Sequence, residues 1–336
     1  MSTRRLLYIG NKLSSKGKTP TGIEILGPLL EQEGFVLQYA SSKKGKVVRL
    51  LDMMMALLRH APASDFVLID TYSTYNFWFA VMSAGICRML RKPYIPILHG
   101  GNLPQRLSSS PGLSRFLFGH AYANVAPSSY LAHAFEKAGF QVSVIPNPLL
   151  EAISFVPRST FRPRLLWVRS FVGIYNPEMA IEVLRIVSDR HKDVSLVMVG
   201  PEVDPTAKSC RDLAASYKLD VTFTGKLAKS DWMAMASDSD FFINTSNVDN
   251  SPFSLVEAAA LGLPVISTDV GGIPHLFEHA VSARLVPKGD AQAMADEIEN
   301  LLHDPNLAQS MIREAKRIPQ AAKWEHLRTK WLEILK

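Results

Sequence analysis

Short apolar runs alternate with helix-length amphipathic segments along most of the chain. The amphipathic segments predict helices, among them residues 22–32 and 46–60. The apolar runs predict strands, which in chain order are residues 5–10, 35–39, 66–70, 94–98, 123–126, 142–145, 165–168, 194–200, 221–224, 240–244 and 265–267. Strands and helices in this order are typical of βαβ units, whose parallel sheet is covered by helices on both faces. The pattern therefore predicts an α/β fold with doubly wound parallel sheets.

The division into domains follows from a break in this pattern. Over residues 147–164 prolines recur and the periodicity lapses, which indicates a linker. We expect one domain over residues 1–155, a second over 156–318 and a terminal segment over 319–336. At spacings of three and four, that segment carries the apolar residues Trp324, Leu327, Trp331 and Leu335. The spacing predicts a helix with one buried stripe, which we expect to pack back across the domain junction.

Two further apolar stretches predict buried helical segments. The longest apolar run, residues 77–87, is well short of the roughly 20 residues that span a bilayer. It predicts a buried helix rather than a segment that dips into a membrane. The run of Met53, Met54 and Met55 lies in an apolar helix and is predicted to fill the core.

Charge is unevenly placed along the chain. Residues 1–160 hold 17 Lys and Arg against 8 Asp and Glu, and the remainder holds 20 against 23, so +9 and −3 give the net +6. Such a basic excess suits an ordinary solvated surface, and equally an anionic lipid face or a phosphate-bearing acceptor. Nucleic acid is not expected as a partner, because no aromatic-basic motif accompanies the charge.

The cysteines and the N-terminus favour a cytoplasmic protein. Cys87 and Cys210 stand far apart, with no CxxC pair and no histidine cluster at ligand spacing, so neither a disulfide framework nor a metal site is expected. The first residues run straight into a strand pattern without the longer apolar stretch and cleavage site of a signal peptide. We expect the protein in the cytoplasm, with peripheral contact at the inner face of the membrane as an open alternative.

The most informative stretch is residues 244–274, which predicts a strand, a polar loop, a helix, a strand and a glycine turn. The helix is expected to begin at Pro252 or Phe253, because proline is tolerated in the first turn. A helix start beyond the carboxyl end of a strand is an anion site where nucleotides bind in doubly wound folds. Glu257 lies about one turn inside this helix and Asp249 lies in the preceding loop, so two carboxylates flank the site.

This stretch closely resembles the C-terminal signature of the family 4 retaining glycosyltransferases of GT-B fold. Their signature has two glutamates separated by seven residues, followed by A-x-A-x-G-x-P-V-I-x-T-x-x-G-G. Here the sequence E-A-A-A-L-G-L-P-V-I-S-T-D-V-G-G begins at Glu257 and matches almost throughout. The first glutamate is replaced by Asp249, which is shorter by one methylene. The resemblance implies two Rossmann-like domains that face a cleft.

The resemblance also assigns roles to residues of the second half. Glu257 would bind the ribose of the donor, and the backbone N–H groups of Phe253 and Ser254 would meet its diphosphate or sugar. Asp249 would contact the hydroxyls of the donor sugar. The glycine turn would combine a positive φ with close backbone approach. The remaining donor-binding residues implied are Asn250, Ser251, Leu255, Gly271 and Gly272.

Further family segments point to the catalytic centre. Arg169 follows the strand at 165–168 and matches the arginine that faces the leaving diphosphate, whereas Ile174 stands where the family carries a lysine. His99 follows the strand at 94–98 and precedes two glycines, where family members place a histidine near the donor sugar. Gly22 matches the glycine at the start of the first helix, which approaches donor or acceptor. The nearby stretch 12–19 imitates a phosphate loop but lacks its first glycine.

The resemblance implies transfer of a hexosyl unit from a nucleoside-diphosphate sugar, of UDP or GDP type, to a hydroxyl acceptor with retention of configuration. It implies neither a metal nor another cofactor, since Arg169 and the helix start oppose the charge of the diphosphate. The acceptor would be an oligosaccharide or lipid-linked intermediate of a cell-surface glycan. Two alternatives stay open, a nucleotide-sugar epimerase and a protein that binds the donor with weak or no turnover. A dehydrogenase is disfavoured, because no G-x-G-x-x-G follows the first strand of either half.

Overall fold

The chain forms two compact units, one of Met1–Leu150 with Ala322–Lys336 and the other of Glu151–Ala321. The structure, a computed structural model, describes residues 4–16, 20–149 and 153–336. The unit boundaries lie within a few residues of the limits predicted at 155/156 and 318/319. No helix within the described ranges is long and apolar enough to cross a membrane.

The first unit is built on a six-stranded parallel sheet. Its strands are β1 Arg5–Ile9, β2 Val36–Ala40, β3 Phe66–Thr71, β4 Tyr94–Leu98, β5 Val125–Ala126 and β6 Ser143–Val144. Its helices before the linker are α1 Gly22–Gln32, α2 Lys46–His60, α3 Tyr75–Met89, α4 Leu103–Ser109, α5 Pro111–Phe118 and α6 Ser129–Lys137. The strand order β2-β1-β3-β4-β5-β6 reverses its direction between β1 and β3. In open parallel sheets a ligand site is expected beyond the carboxyl ends of such a neighbouring pair.

The second unit is also built on a six-stranded parallel sheet. Its strands are β7 Arg164–Val168, β8 Ser195–Val199, β9 Val221–Gly225, β10 Phe241–Asn244, β11 Val265–Thr268 and β12 Arg284–Val286. Its helices are α7 Pro177–Ser188, α8 Thr206–Tyr217, α9 Lys229–Ala236, α10 Phe253–Leu261, α11 Ile273–Leu276, α12 Ala291–His303, α13 Pro305–Ala315 and α14 Arg317–Ala321. The order β12-β11-β10-β7-β8-β9 is that of the dinucleotide-binding Rossmann sheet, and it reverses between β7 and β10.

The last helix, α15 Trp324–Ile334, belongs to the first unit. Its side chains Leu327, Trp331 and Leu335 are buried in the same apolar cluster as residues of β1 and α1. The stripe predicted for the C-terminal helix is therefore buried against the first sheet. On the edge of this cluster, the Trp324 indole N–H donates to the Glu33 carboxylate at 2.9 Å.

Helices α2 and α3 differ from their sequence-based interpretation. Met53 is buried and fills the core as predicted, but Met55 is exposed, because a helix turns successive side chains to different faces. Likewise the apolar run of α3 is not buried all round: Phe77 lies in the core, whereas Trp78 and Met82 face solvent. Each of the two helices therefore packs on the core with one face and leaves apolar side chains exposed on another.

Candidate functional site

Helix α10 begins at Phe253, directly after Pro252, as the sequence predicted. Proline has no side-chain oxygen that could cap the helix, and the first intrahelical bond runs from Leu255 N to Pro252 O at 3.2 Å. The N–H groups of Phe253 and Ser254 therefore precede the hydrogen-bonded ladder of the helix. The Ser254 hydroxyl is buried and has no hydrogen-bond partner within the described residues. The start of α10 thus offers several donors at the positive end of a helix dipole.

The loop between β10 and α10 is tied to the sheet by side-chain hydrogen bonds. Asn244 Nδ2 donates to Ser267 Oγ at 2.9 Å, and Ser246 Oγ donates to Asn244 Oδ1 at 2.9 Å. From β11, Thr268 Oγ1 donates to the Ser246 carbonyl at 2.6 Å. These buried polar contacts fix the loop that carries Asp249.

Asp249 forms an ion pair with Arg169, between Oδ2 and Nη2. The two residues come from the loops that follow β10 and β7, the neighbouring strands at which the sheet order reverses, so the topology brings them together. The centroid of the Tyr175 ring lies 4.9 Å from the Arg169 guanidinium carbon, so the ring adds a cation–π contact. Ile174, in the lysine position of the family, is exposed and supplies no charge.

Glu257 forms a second ion pair, with Lys229 at the start of α9: Nζ and Oε1 are 2.7 Å apart. The Glu257 side chain is only 10% exposed and that of Lys229 is 30% exposed. Both carboxylates predicted to flank the helix start are therefore already opposed by a cation. The sequence interpretation identified Arg169 and missed Lys229.

Gly271 and Gly272 pack directly against the backbone of the Asp249 loop. A Cβ on Gly271 would lie 2.0 Å from the Asp249 carbonyl oxygen, and one on Gly272 would lie 1.8 Å from that of Asn250. Gly272 N donates to the Asp249 carbonyl at 3.0 Å. The positive φ expected of the turn holds for Gly271, at 56°, and is wrong for Gly272, at −86°. The two glycines therefore set the position of the loop that carries the acid.

The remaining predicted donor-binding residues occupy distinct places near the helix start. Asn250 is buried, and its backbone N–H donates to Asp249 Oδ1 at 2.9 Å. Ser251 is partly exposed in the turn before Pro252. The Leu255 side chain is fully buried and its N–H is used inside the helix, so Leu255 supports the helix and offers no donor of its own.

In the first unit, His99 belongs to a buried polar cluster centred on Asp70. His99 Nε2 donates to Asp70 Oδ1 at 2.8 Å, and the Tyr8 hydroxyl donates to the same oxygen at 3.0 Å. Since a carboxylate only accepts, Nε2 carries a proton, and in a neutral imidazole Nδ1 is then the nitrogen left to accept. A Cβ on Gly22 would lie 2.7 Å from the His99 ring, so glycine at the start of α1 makes room for the imidazole.

The surroundings of Asp70 raise the pKa of two tyrosines. Burial, together with the Asp70 charge, raises the pKa of Tyr8 well above its usual value, and the same two causes raise the pKa of Tyr72. The Tyr72 ring stacks on His99 with centroids 5.1 Å apart. A cavity of about 10 Å³ adjoins Asp70 and is lined by Gly10, Asn11 and Tyr72, too small for a sugar. His99 is thus held by a carboxylate on one side and an aromatic face on another.

The structure brings the predicted residues together in two groups. In the second unit, Asp249 precedes the start of α10 and pairs with Arg169, Glu257 follows it inside the helix, and Gly271 and Gly272 pack against the loop. In the first unit, His99 and Gly22 are in contact and meet Asp70, which the sequence interpretation missed.

Comparison with known proteins assigns this arrangement to a family. Residues 153–318 match the family described as Glycosyl transferases group 1. The putative colanic acid biosynthesis glycosyltransferase WcaL of Salmonella typhimurium is 32% identical over 123 residues, which are 34% of this chain and 30% of that protein. The N-acetyl-alpha-D-glucosaminyl L-malate synthase of Bacillus anthracis is 32% identical over 262 residues, 69% of this chain and 66% of that protein. The chain belongs to the group 1 glycosyltransferases.

Solved structures with the same fold cover nearly the whole chain. The crystal structure of Anabaena HepE in complex with UDP-glucose is 20% identical, with a TM-score of 0.76, and the match covers 98% of this chain and 99% of that one. Sucrose-phosphate synthase from Thermosynechococcus elongatus is 17% identical, with a TM-score of 0.75 and 98% of both chains covered. These likenesses confirm the predicted GT-B fold, with its two Rossmann-like parallel-sheet domains. The matches to WcaL and to the amylovoran biosynthesis glycosyltransferase AmsK of Erwinia amylovora span only 30% and 12% of those relatives.

Proposed function

We propose that this protein transfers a sugar from a nucleoside-diphosphate sugar to a hydroxyl acceptor with retention of the anomeric configuration. The observation that carries the proposal is the pair of opposed carboxylates, Asp249 and Glu257, on either side of the donor-rich start of α10. Membership of the group 1 glycosyltransferases and the likeness of the fold to that of HepE, which binds UDP-glucose, support it.

The donor is assigned to the second unit. Its ribose hydroxyls would donate to the Glu257 carboxylate, which Lys229 holds in place at 2.7 Å. Its diphosphate would accept from the N–H groups of Phe253 and Ser254, at the positive end of α10. The guanidinium of Arg169 would face the same diphosphate, because it comes from the neighbouring strand end and is fixed by Asp249 and Tyr175.

The proposed chemistry needs charge stabilisation and positioning more than a protein nucleophile. The bond from the anomeric carbon to the phosphate oxygen breaks, and its electron pair leaves with the diphosphate. The acceptor oxygen forms the new bond on the same face of the sugar, and its proton passes to a phosphate oxygen of the leaving group. Arg169 and the start of α10 oppose the negative charge that grows on the diphosphate, so we expect no requirement for a metal ion.

Each unit has its own proposed contact: Asp249 with the donor sugar in the second unit, and His99 with a sugar hydroxyl in the first. The Nδ1 atom of His99 would accept from a sugar hydroxyl, since Asp70 holds the proton on Nε2. Like the family glutamate, Asp249 has a carboxylate that accepts hydrogen bonds, but its side chain is one methylene shorter. The acceptor would be an oligosaccharide or a lipid-linked glycan intermediate, as the glycan biosynthesis relatives suggest.

Purified protein with a panel of nucleotide sugars tests the proposal. We expect one donor to raise the unfolding temperature, because a ligand that binds only the folded state stabilises it. With a hydroxyl acceptor present, that donor should be consumed, chelator should not slow the reaction, and the product should keep the anomeric configuration by NMR. Donor bound without transfer to any acceptor or to water would favour a binding protein, and donor isomerised without acceptor would favour an epimerase.

A further inference from the structure

The first unit exposes an apolar surface on two adjacent helices. Nine of the fifteen large apolar side chains that are exposed in the described part of the chain lie on α2 and α3, with exposures from 46% at Met82 to 72% at Val47. These nine, which we call the α2–α3 face, are Val47, Val48, Leu51, Met55, Leu58, Tyr75, Trp78, Met82 and Met89. Contiguous exposed apolar patches on a soluble domain mark interaction sites.

The face is regular rather than scattered. On α2, Val47, Leu51, Met55 and Leu58 recur at helical spacing, and on α3 Tyr75, Trp78 and Met82 do the same. The opposite sides of both helices fill one core, where Met53 and Leu57 share a cluster with Phe77. Each helix is therefore apolar on its inner and its outer side, and only the inner side is covered by protein in the described chain.

Basic residues share these two helices and the loop before α2, with Arg49 donating to the carbonyls of Lys43 and Lys44 and Arg88 over the Phe116 ring. Helices α2 and α3 carry Lys46, Arg49, Arg59 and Arg88 against a single acid, Asp52, and the loop before α2 adds Lys43 and Lys44. The Lys46 ammonium lies 4.2 Å from the centroid of the Tyr75 ring, which joins the two helices at their N-terminal ends. Apolar, aromatic and basic side chains on one helical surface are the combination that binds the interface of a membrane.

We propose that the α2–α3 face docks this protein on an anionic membrane, with both helices lying in the plane of the interface. Their outer side chains would enter the headgroup and acyl boundary, while the lysines and arginines meet lipid phosphates. A second copy of the chain fits this face less well. In a symmetric dimer the same patch meets itself, so two sets of cations would face each other with one acid apiece.

The face has a defined place relative to the polar cluster of the first unit. Each helix follows a strand, so the N-terminal ends of α2 and α3 lie at the carboxyl edge of the sheet, the edge that carries Asp70 and His99. Lys43, Lys44 and Lys46 are at this same end. If the proposed function holds, a docked protein would meet a lipid-linked acceptor at that edge. This consequence rests on the proposed function, whereas the docking itself does not.

Vesicle flotation of the full chain tests the docking without any sugar. The wild type is expected to float with vesicles of phosphatidylcholine and phosphatidylglycerol. With vesicles of phosphatidylcholine alone it is expected to remain at the bottom of the gradient. The double variant Leu51→Ser, Met55→Ser should lose about tenfold in vesicle-bound fraction, since each apolar group contributes to interfacial binding. The variant Lys43→Gln, Lys44→Gln should bind the vesicles about fivefold more weakly per charge removed. High salt should weaken vesicle binding of the wild type in the same way, because it screens the same attraction.

Matched controls separate the face from a general loss of apolar surface or of folding. Val203→Ser, Tyr217→Ser removes two exposed apolar side chains of the second unit and should float like the wild type. Unfolding temperature and nucleotide binding should be unchanged in every variant, so failure of docking and failure of the proposed function give different results. Absence of flotation by the folded wild type would overturn the proposal, as would flotation that both α2 variants retain. A wild-type dimer that the Leu51→Ser, Met55→Ser change dissociates, without vesicle binding, would assign the face to self-association instead.

Discussion

The Lys229 ammonium and the Glu257 carboxylate lie 2.7 Å apart, although the two residues are 28 positions apart in the chain. The pair joins the first residue of α9 to the second turn of α10, and it holds the acid assigned to the donor ribose in a buried place. A carboxylate with one oxygen held by a lysine keeps its orientation. We regard Lys229 as a positioning residue for Glu257.

Replacing Lys229 with Met should weaken nucleotide binding about fivefold, because partly exposed ion pairs contribute about 1 kcal/mol or less. Isothermal titration with the donor nucleotide measures the change. Lys208→Met is the matched control, since Lys208 pairs with Asp212 at 2.8 Å on the exposed side of α8. Equal affinity in the wild type and Lys229→Met would show that Glu257 needs no support from this lysine.

Replacing Arg169 with Ala should slow transfer about a hundredfold, the loss typical of removing one group that stabilises charge in the transition state. Donor affinity should fall much less, because the start of α10 and Glu257 are unchanged. Steady-state kinetics with saturating acceptor separate kcat from KM. Arg185→Ala is a close control: Arg185 also has a carboxylate partner, Glu182, and an aromatic partner, Tyr217. A loss confined to KM would contradict the role given to Arg169.

Gly271→Ala should destabilise the second unit and displace the Asp249 loop. A left-handed φ costs an alanine about 1–2 kcal/mol, and here the new Cβ would also meet the Asp249 carbonyl oxygen at 2.0 Å. Gly289→Ala has only the conformational cost, since its φ is 77° and, among the described residues beyond its chain neighbours, no heavy atom lies within 4 Å of the added Cβ. Thermal unfolding and nucleotide titration of the two variants should differ clearly. Identical profiles would remove the loop-positioning role of Gly271.

Gly22→Ala should impair transfer and leave nucleotide binding to the second unit unchanged. The new methyl group would press on the His99 ring at 2.7 Å and disturb its bond to Asp70. Gly112→Ala, on the exposed side of α5 with open space around it, should instead stabilise the protein by about 0.5–1 kcal/mol. Activity assays and unfolding temperatures of the pair check this. Full activity in Gly22→Ala would mean that the placement of His99 is not required.

Local signals predicted the elements around the start of α10, because these elements are close in sequence. The strand at Asn244, the helix that begins after Pro252 and the glycine turn all lie within one βαβ unit, where periodicity and proline chemistry are informative. The sequence interpretation missed Lys229, because its ion pair with Glu257 depends on the packing of α9 against α10. The short β12 escaped because three residues carry no periodicity.

The sequence interpretation missed Asp70 and the α2–α3 face for different reasons. Asp70 lies in a buried, otherwise apolar strand, and only the parallel register of β3 beside β1 and β4 brings it to Tyr8 and His99. For α3, an apolar run on every side of a helix predicts burial on every side. The structure covers the inner side and leaves the outer one exposed, so composition alone did not distinguish a fully buried helix from a half-buried one.

The most direct test of the central claim is a titration of the donor nucleoside diphosphate into the wild type and Glu257→Gln. Losing a hydrogen bond to a charged acceptor costs about 1.5–3 kcal/mol, so the variant should bind at least about tenfold more weakly while unfolding at a similar temperature. Glu182→Gln, which alters a carboxylate paired with Arg185 on α7, should bind like the wild type. Unchanged affinity in Glu257→Gln would contradict the assignment of the donor site to the start of α10.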